Sequence, residues 1–305
     1  MNLEFDFTRE SPFKPGLPVS PDYFTGRKNT ITKILRNVGN VIQGNPQHFF
    51  LTGKKGMGKT SVAYFVKEYL NYSKNITGVY VSNRGIHSID ELSKKIIEAL
   101  VNQLPENSRV EMVKKCFGDN IEIKGNRFIR IDNLSKSFKN HLPDIILDIY
   151  NEFSDKNGIL IIIDDISCMS DRCEFTDWYK KLADTMAVNH YSLPVYFFLT
   201  AECGKFDEMV VHDESFGSIF HYDSIDILSE GEVREFFKNT FKEADIEISK
   251  DALDIMLEYS SLNPLRMQEI GDSVFWICKN NHITRDDALK GVDELLKKNI
   301  KTALT

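Results

Sequence analysis

The chain has 305 residues, a formal net charge of −7 and a pI near 5.6, with 42% hydrophobic and 27% charged residues. That length allows one large domain or two ordinary ones with a sizeable core, and the composition is that of a soluble globular protein. The acidic balance argues against a surface that binds nucleic acid all over, leaving at most a local basic patch. The opening residues MNLEFDFTRE lack the basic and apolar regions of a signal peptide, and no apolar run approaches the ~20 residues of a membrane span. A cytoplasmic protein without a membrane segment is expected. Cys116, Cys168, Cys173, Cys203 and Cys278 are scattered, with no CxxC pair and no His at zinc-ligand spacing. They read as buried free thiols in a reducing compartment.

Residues 1–28 are rich in Pro and Gly and read as an extended arm. A helix is expected from Arg27, with Ile31, Ile34, Leu35 and Val38 apolar, followed by a buried strand over His48–Thr52. After Thr60 comes a helix with Val62, Ala63, Phe65, Val66, Tyr69 and Leu70 inward, then a strand at Gly78–Ser82. Ser88 and Glu91 form a capping box opening a helix that carries Ile89 through Leu104. Three further strands are expected at Gly158–Ile163, Pro194–Leu199 and Ser224–Leu228. Strands alternating with helices predict an α/β fold, a three-layer sandwich around a mostly parallel five-stranded sheet. Beyond Leu228 the strand signals stop and four helices follow, over 229–244, 250–260, 264–279 and 284–303. The expected organisation is therefore a core over 1–228 and an all-α domain over 229–305.

Gly53-Lys-Lys-Gly-Met-Gly-Lys-Thr60 fits G-x-x-x-x-G-K-[ST] in full. Glycines let backbone N–H groups turn inward as an anion nest, and the following helix aims its N-terminal dipole at the same charge. Lys55, Gly56, Met57, Gly58, Lys59, Thr60 and Ser61 are thus candidates to hold phosphates. Lys59 would reach the β- and γ-phosphates, and the Thr60 hydroxyl would ligate Mg²⁺. Ile159-Leu-Ile-Ile-Ile-Asp164-Asp165 is a buried strand ending in two carboxylates at the carboxyl edge of the sheet. Asp164 is the candidate magnesium acid and Asp165 the water-orienting acid, although Asp is one methylene shorter than the Glu common there. Thr200 ends the fourth strand and is either a γ-phosphate sensor or a strand-terminating hydroxyl. Asn83 ends the second and is either a turn former or a partner of the catalytic acid. Arg266, at a helix start in Asn263-Pro-Leu-Arg266, is either a lid arginine reaching the phosphates or a solvated charge.

Together these motifs resemble the archaeal-ATPase and STAND group and their AAA+ relatives, including the Orc1/Cdc6-like initiators. The resemblance runs through Pro15–Val19, Phe24-Thr-Gly26-Arg27, the Gly53–Thr60 loop, Ile163-Asp-Asp165 and Leu262-Asn-Pro264. It implies that Phe24, Gly26 and Arg27 lie by an adenine, that Pro264 belongs to a helical lid, and that the ligand is Mg-ATP. No N-K-x-D guanine-reading motif is present. Three departures matter. The fourth strand reads Thr200-Ala-Glu202 where the family commonly ends it in a Thr/Ser-Arg sensor. Leu262 stands where the lid pattern has Gly, and no Arg occurs between Cys173 and Val233, the stretch that normally donates an arginine finger. Such a finger contributes roughly 10³–10⁵ in rate, so slow intrinsic hydrolysis is expected.

Ile121–Ile131 reads as a β-hairpin turning at Gly125-Asn126, with Lys124, Arg127 and Arg130 on it. It is either a decoration of the core or a basic contact for a nucleic-acid backbone or protein partner. The leading expectation is an ATP hydrolase acting as a nucleotide-dependent switch or motor subunit. Its expected partner is another protein acting as effector, because the chain ends where a DNA-binding or repeat domain is usually fused; self-association is the other partner expected. An ATP-locked scaffold without turnover and an initiator- or transposition-type DNA-binding ATPase are the alternatives.

Overall fold

The structure is a computed structural model that describes residues 10–43, 47–73, 76–118, 121–124, 127–130, 137–153, 155–170, 173–189 and 193–303. Its elements run α1 (Lys28–Ile42), β1 (His48–Gly53), α2 (Lys59–Ser73), β2 (Ile76–Ser82), α3 (Ile89–Val101), α4 (Glu106–Phe117), β3 (Ile121–Lys124) and β4 (Arg127–Arg130). Then come α5 (Leu142–Asn151), β5 (Gly158–Asp164), α6 (Ser167–Ser170), α7 (Cys173–Asn189), β6 (Val195–Ala201), α8 (Lys205–His212), α9 (Glu214–Ile219) and β7 (Phe220–Ile225). The chain closes with α10 (Glu230–Glu243), β8 (Glu247–Ile248), α11 (Lys250–Ser260), α12 (Pro264–Ile277), β9 (His282–Ile283) and α13 (Arg285–Ala303). By packing the chain divides into two compact units: a sheet unit of Asn29–Gly53 and Val66–Ser224, and a helical unit of Met1–Lys28, Lys54–Phe65 and Ile225–Thr305.

In the sheet unit the strand order is β2-β5-β6-β1-β7, and β1–β6, β2–β5 and β5–β6 all pair parallel. β1, β5 and β6 are buried along their whole length. Ile159, Ile161 and Ile163 enter one large cluster with Leu92, Ile96, Ile146 and Tyr179 of the flanking helices. Leu160 and Ile162 are equally buried and face the other way, as the two-residue period of a strand requires. Unbroken Val/Ile/Leu/Phe runs are what a sheet covered on both faces selects. His48 opens β1 inside this core. Its Nδ1 accepts the Phe197 N–H at 3.2 Å, and burial pushes its pKa down to about 3.

The helical unit buries Val233, Phe236, Phe237 and Phe241 of α10 against Leu253 and Met256 of α11 and Ile270 and Val274 of α12. The Ser229–Glu232 capping box forms in full, and Ser249 and Asn263 cap the next two helices. α12 starts at its Pro, where the missing N–H costs nothing.

Several expectations need correction. The fifth strand is Phe220–Ile225, not Ser224–Leu228, because it is the aromatic Phe220 that anchors it in the core and Asp226 and Ile227 bond elsewhere. Strand signals do not stop at Leu228: β8 and β9 form a two-residue parallel pair, too short to leave a periodic trace. Tyr69 is exposed rather than inward, and α3 ends at Val101, short of Leu104, which is buried beyond it. Ser88 accepts the Glu91 N–H as expected, but the Glu91 carboxylate takes the N–H of His87 instead of closing the box. Only Cys116 and Cys278 are buried; Cys168, Cys173 and Cys203 are exposed, at or beside helix starts where no core covers them. The expected hairpin is present as the antiparallel pair β3–β4, with its turn at 125–126 outside the described residues.

Candidate active site

β1 runs into a loop over 54–58, and α2 opens at Lys59. Gly56 and Gly58 have φ of 84° and 88°, the left-handed region that a side chain resists. A Cβ on Gly56 would also lie 3.2 Å from Leu265 Cβ. The loop is braced from within, Met57 N–H donating to the Lys54 carbonyl at 3.3 Å and Lys59 Nζ donating to the same oxygen at 3.2 Å. At Val62 the first helical bond, to Gly58, is made at 2.9 Å. The N–H groups ahead of Val62, at the loop's end and in the first turn of α2, form the helix start that attracts anions. Lys55 is exposed.

The helical unit holds this loop from two directions. Arg27, itself left-handed at φ 59°, donates from its guanidinium to the carbonyls of Met57 at 3.2 Å, Ile227 at 3.4 Å and Asp226. Its N–H donates to Glu232 Oε1 at 3.0 Å. Burial lowers the Arg27 pKa, which Glu232 and Asp226 partly offset. For Glu232, burial works upward, but hydrogen bonds from Ser229 and Arg27 outweigh it and hold its pKa below the usual range. From the other side, Leu265 N–H donates to the Gly56 carbonyl at 3.3 Å. An open cleft beside the loop is lined by Val19, Phe24, Arg27, Met57, Gly58, Ser61, Leu228, Pro264 and Met267, among others. Phe24 stacks on Phe65 with ring centroids 4.6 Å apart. Gly26 does not line the cleft; it turns the chain at φ 82°, where a Cβ would meet Glu232 Oε1 at 2.6 Å. Arg266 is exposed, its guanidinium donating to Ser261 Oγ at 3.4 Å, one residue from the Leu265 that touches the loop. Leu262 sits at φ 57°, which accounts for the glycine expected there.

In the sheet unit, the parallel pairing of β1, β6 and β5 places Gly53, Ala201 and Asp164 at one edge. Asp164 is 3% exposed, and both its oxygens are occupied: Thr200 Oγ1 donates to Oδ1 and Tyr80 Oη donates to Oδ2, each at 2.6 Å. The Thr200 hydroxyl in turn accepts the Asp165 N–H at 2.9 Å. Thr200 is thus the penultimate residue of β6, not its end, and one hydroxyl bridges the two acids. Burial, with the Asp164 charge beside it, pushes the Tyr80 pKa well up. Asp165 is left-handed at φ 63°; its carboxylate pairs with Arg84 Nε at 3.3 Å. Asn83 lies one residue past β2, and its Nδ2 donates to the Asp165 carbonyl at 3.4 Å and to Cys168 Sγ at 3.1 Å.

Tyr80 and Arg84 were not anticipated from the sequence. Tyr80 left no signal in the sequence by itself: it shares a face with Asp164 because Ser82 pairs with Asp164 in register and side chains alternate along β2. The residues present suit a magnesium nucleotide. In the helical unit two left-handed glycines open a backbone cradle and a Lys and a Thr begin the helix, donors suited to phosphates; in the sheet unit Asp164 is a buried carboxylate, the hard oxygen type that Mg²⁺ takes.

A P-loop at the end of a central strand, with paired acids at the same edge of a 2-5-6-1-7 sheet, defines a P-loop nucleoside triphosphatase fold. Residues 23–181 match the AAA ATPase domain family, and the chain belongs to that family of nucleotide-binding ATPases. No curated protein matches it significantly. Among solved structures it is similar to the Aeropyrum pernix Orc1 protein in complex with DNA, at 14% identity and TM-score 0.61, covering 89% of this chain and 66% of that one. It is also similar to the Aeropyrum pernix Orc2 protein in ADPNP–ADP complexes, at 13% identity and TM-score 0.65, covering 93% and 72%. A Walker-type ATPase of Pyrococcus abyssi aligns at 15% identity and TM-score 0.58, over 98% of this chain and 77% of its own. At these identities the likeness is one of fold. No helix among the described residues is long and apolar enough to cross a membrane.

Proposed function

We propose that the protein binds and slowly hydrolyses Mg-ATP, and that it acts as a nucleotide-dependent switch on a separate effector. The observation that carries this reading is the loop ending at Lys59-Thr60, with Gly56 and Gly58 held left-handed and strapped from the helical unit by Arg27 and Leu265. In this reading the apolar cleft beside Phe24 and Met57 takes the adenine, and Gly26, Arg27 and Pro264 shape it. Backbone N–H groups from Lys55 to Ser61 and the Lys59 ammonium bind the phosphates. Magnesium, when bound through Thr60 and Asp164, neutralises phosphate charge. Asp165 orients the attacking water, Thr200 fixes the two acids relative to each other, and Arg266 reaches the phosphates by leaving Ser261. Residues 1–228 serve as the ATPase core and 229–305 as its lid, with the protein resident in the cytoplasm. A change of nucleotide then biases the effector, a protein partner or a second copy of the chain.

The Orc1 relative was seen with DNA, which keeps open a nucleic-acid reading through the hairpin β3–β4, carrying Lys124, Arg127 and Arg130. The ATP-locked scaffold is separated from the switch by turnover. ATP binding measured by calorimetry and phosphate release measured in parallel test the proposal. Lys59→Ala should lose binding. Asp165→Asn should keep binding and lose phosphate release by roughly a hundredfold or more. A parent protein that binds ATP with no release at any concentration would instead establish the scaffold.

A further inference from the structure

The helical unit contains an aromatic anchor that none of the nucleotide motifs uses. Phe13, in the N-terminal arm, is 1% exposed and lies among three rings of α10, with centroids 5.8 Å from Phe236, 6.4 Å from Phe237 and 4.8 Å from Phe241. The space it fills exists because α12 has a glycine there. A Cβ on Gly271 would lie 2.3 Å from the Phe13 ring. Glycine inside a helix is unfavourable relative to Ala, so the close approach is the physical reason for it.

From this anchor the arm is fastened at successive points. Phe13 N–H donates to Ser11 Oγ at 3.2 Å, and Lys14 N–H donates to Oε1 of the buried Gln268 at 2.9 Å. Val19 N–H donates to Ser61 Oγ, on the first turn of α2, at 3.3 Å. Phe24 then stacks on Phe65. Val19, Phe24 and Gln268 all line the cleft beside the phosphate loop. One wall of that cleft is therefore arm, and among the described arm residues Phe13 is the buried hydrophobic one.

We propose that Phe13, seated against Gly271, is a positioning residue that sets nucleotide affinity and base selectivity by holding the arm as a wall of the base-side cleft. This rests on the reading of that cleft as the adenine site. If the arm is docked only a fraction of the time, apparent affinity falls by that fraction, whereas the phosphate loop is braced independently of the arm at the Lys54 carbonyl and by Leu265. The loss should thus fall on the base and spare the phosphates.

The test uses the full chain and three variants: Phe13→Ala, Gly271→Ala, which expels the ring without removing it, and Phe13→Leu as the conservative rescue. Far-UV circular dichroism reports folding; titrations with ATP, GTP and inorganic tripolyphosphate report binding. Expected is a roughly tenfold weaker Kd for ATP in Phe13→Ala and Gly271→Ala, tripolyphosphate affinity unchanged, and the preference for ATP over GTP reduced. Phe13→Leu should recover most of the loss. The proposal is overturned if Gly271→Ala binds ATP as the parent does, or if ATP and tripolyphosphate weaken together. Should Phe13→Ala fail to fold, the other two variants decide the matter alone. A parent that binds tripolyphosphate but shows no gain from the adenosine overturns the adenine reading, and this inference with it.

Discussion

The hydroxyl of Thr200 is the point at which one atom group serves both acids, and its removal is the sharpest test of the site's construction. Thr200→Val exchanges the hydroxyl for a methyl of similar size, so no cavity term enters. Two bonds are lost: the donation to Asp164 Oδ1 at 2.6 Å and the acceptance of the Asp165 N–H at 2.9 Å. A buried hydrogen bond to a charged group contributes about 1.5–3 kcal/mol, and the part-buried Asp165 N–H left without its acceptor costs about 1 kcal/mol more, the low end of the range. Thr200 is fully buried and Asp164 nearly so, so water cannot readily replace the donor. The expected destabilisation is about 2–4 kcal/mol, against about 1 kcal/mol for Tyr80→Phe, because the Tyr80 end is only part-buried and water can reach it.

Urea unfolding followed by circular dichroism measures this, with Asp164→Asn and the double variant closing a cycle. The cycle should return a coupling between Thr200 and Asp164 of at least about 1 kcal/mol. A Thr200→Val protein within about 0.5 kcal/mol of the parent, the range of an ordinary surface substitution, would refute the bridging role.

Two further expectations follow from geometry away from the acids. The folded His48 imidazole stays neutral down to about pH 3, whereas an unfolded one takes a proton below ~6.5, so the unfolded state binds more protons between these values. Stability is complete above ~6.5 and falls as pH drops toward 3, by about 2 kcal/mol between about pH 7.5 and 5; His48→Phe should flatten that slope in guanidinium melts at each pH. Gly56→Ala places a Cβ at positive φ and 3.2 Å from Leu265 Cβ, so it should cost about 1–3 kcal/mol and weaken ATP binding more than a Lys55→Ala control, as titration would show.

The elements most legible in the sequence were those where one physical demand dominates. The Gly53–Thr60 loop needs glycine at fixed places, and β5 needs an unbroken apolar run because both its faces are covered. The Ser229 cap and the Asn263-Pro264 helix start are local chemistry and were readable residue by residue. What escaped depended on pairing between distant segments. Tyr80 and Arg84 matter only because β2 lies beside β5 in one register, and the left-handed φ of Asp165 follows from bonds that Thr200 and Asn83 bring from other strands. β7 was displaced by four residues at its start and three at its end because only Phe220 and Ile225 of it are buried, which leaves little periodicity to read. The cysteines misled because composition says nothing about which loop meets solvent.

The slow turnover proposed above would have two causes, and magnitudes separate them. One is the Arg84–Asp165 ion pair, which occupies the carboxylate that should orient water. Its Arg side chain is 74% exposed, and exposed pairs contribute about 0–1 kcal/mol, so the carboxylate is released at a cost of at most about fivefold in rate. The other is the missing finger between Cys173 and Val233, a deficit of roughly 10³–10⁵, or about 4–7 kcal/mol. The second term is larger by several kcal/mol. Arg84→Ala should therefore raise single-turnover hydrolysis by no more than about fivefold, leaving it slow, while an effector that supplies an arginine should raise it far more. A hundredfold gain from Arg84→Ala alone would reverse this order and make the ion pair, rather than the absent arginine, the brake on Asp165.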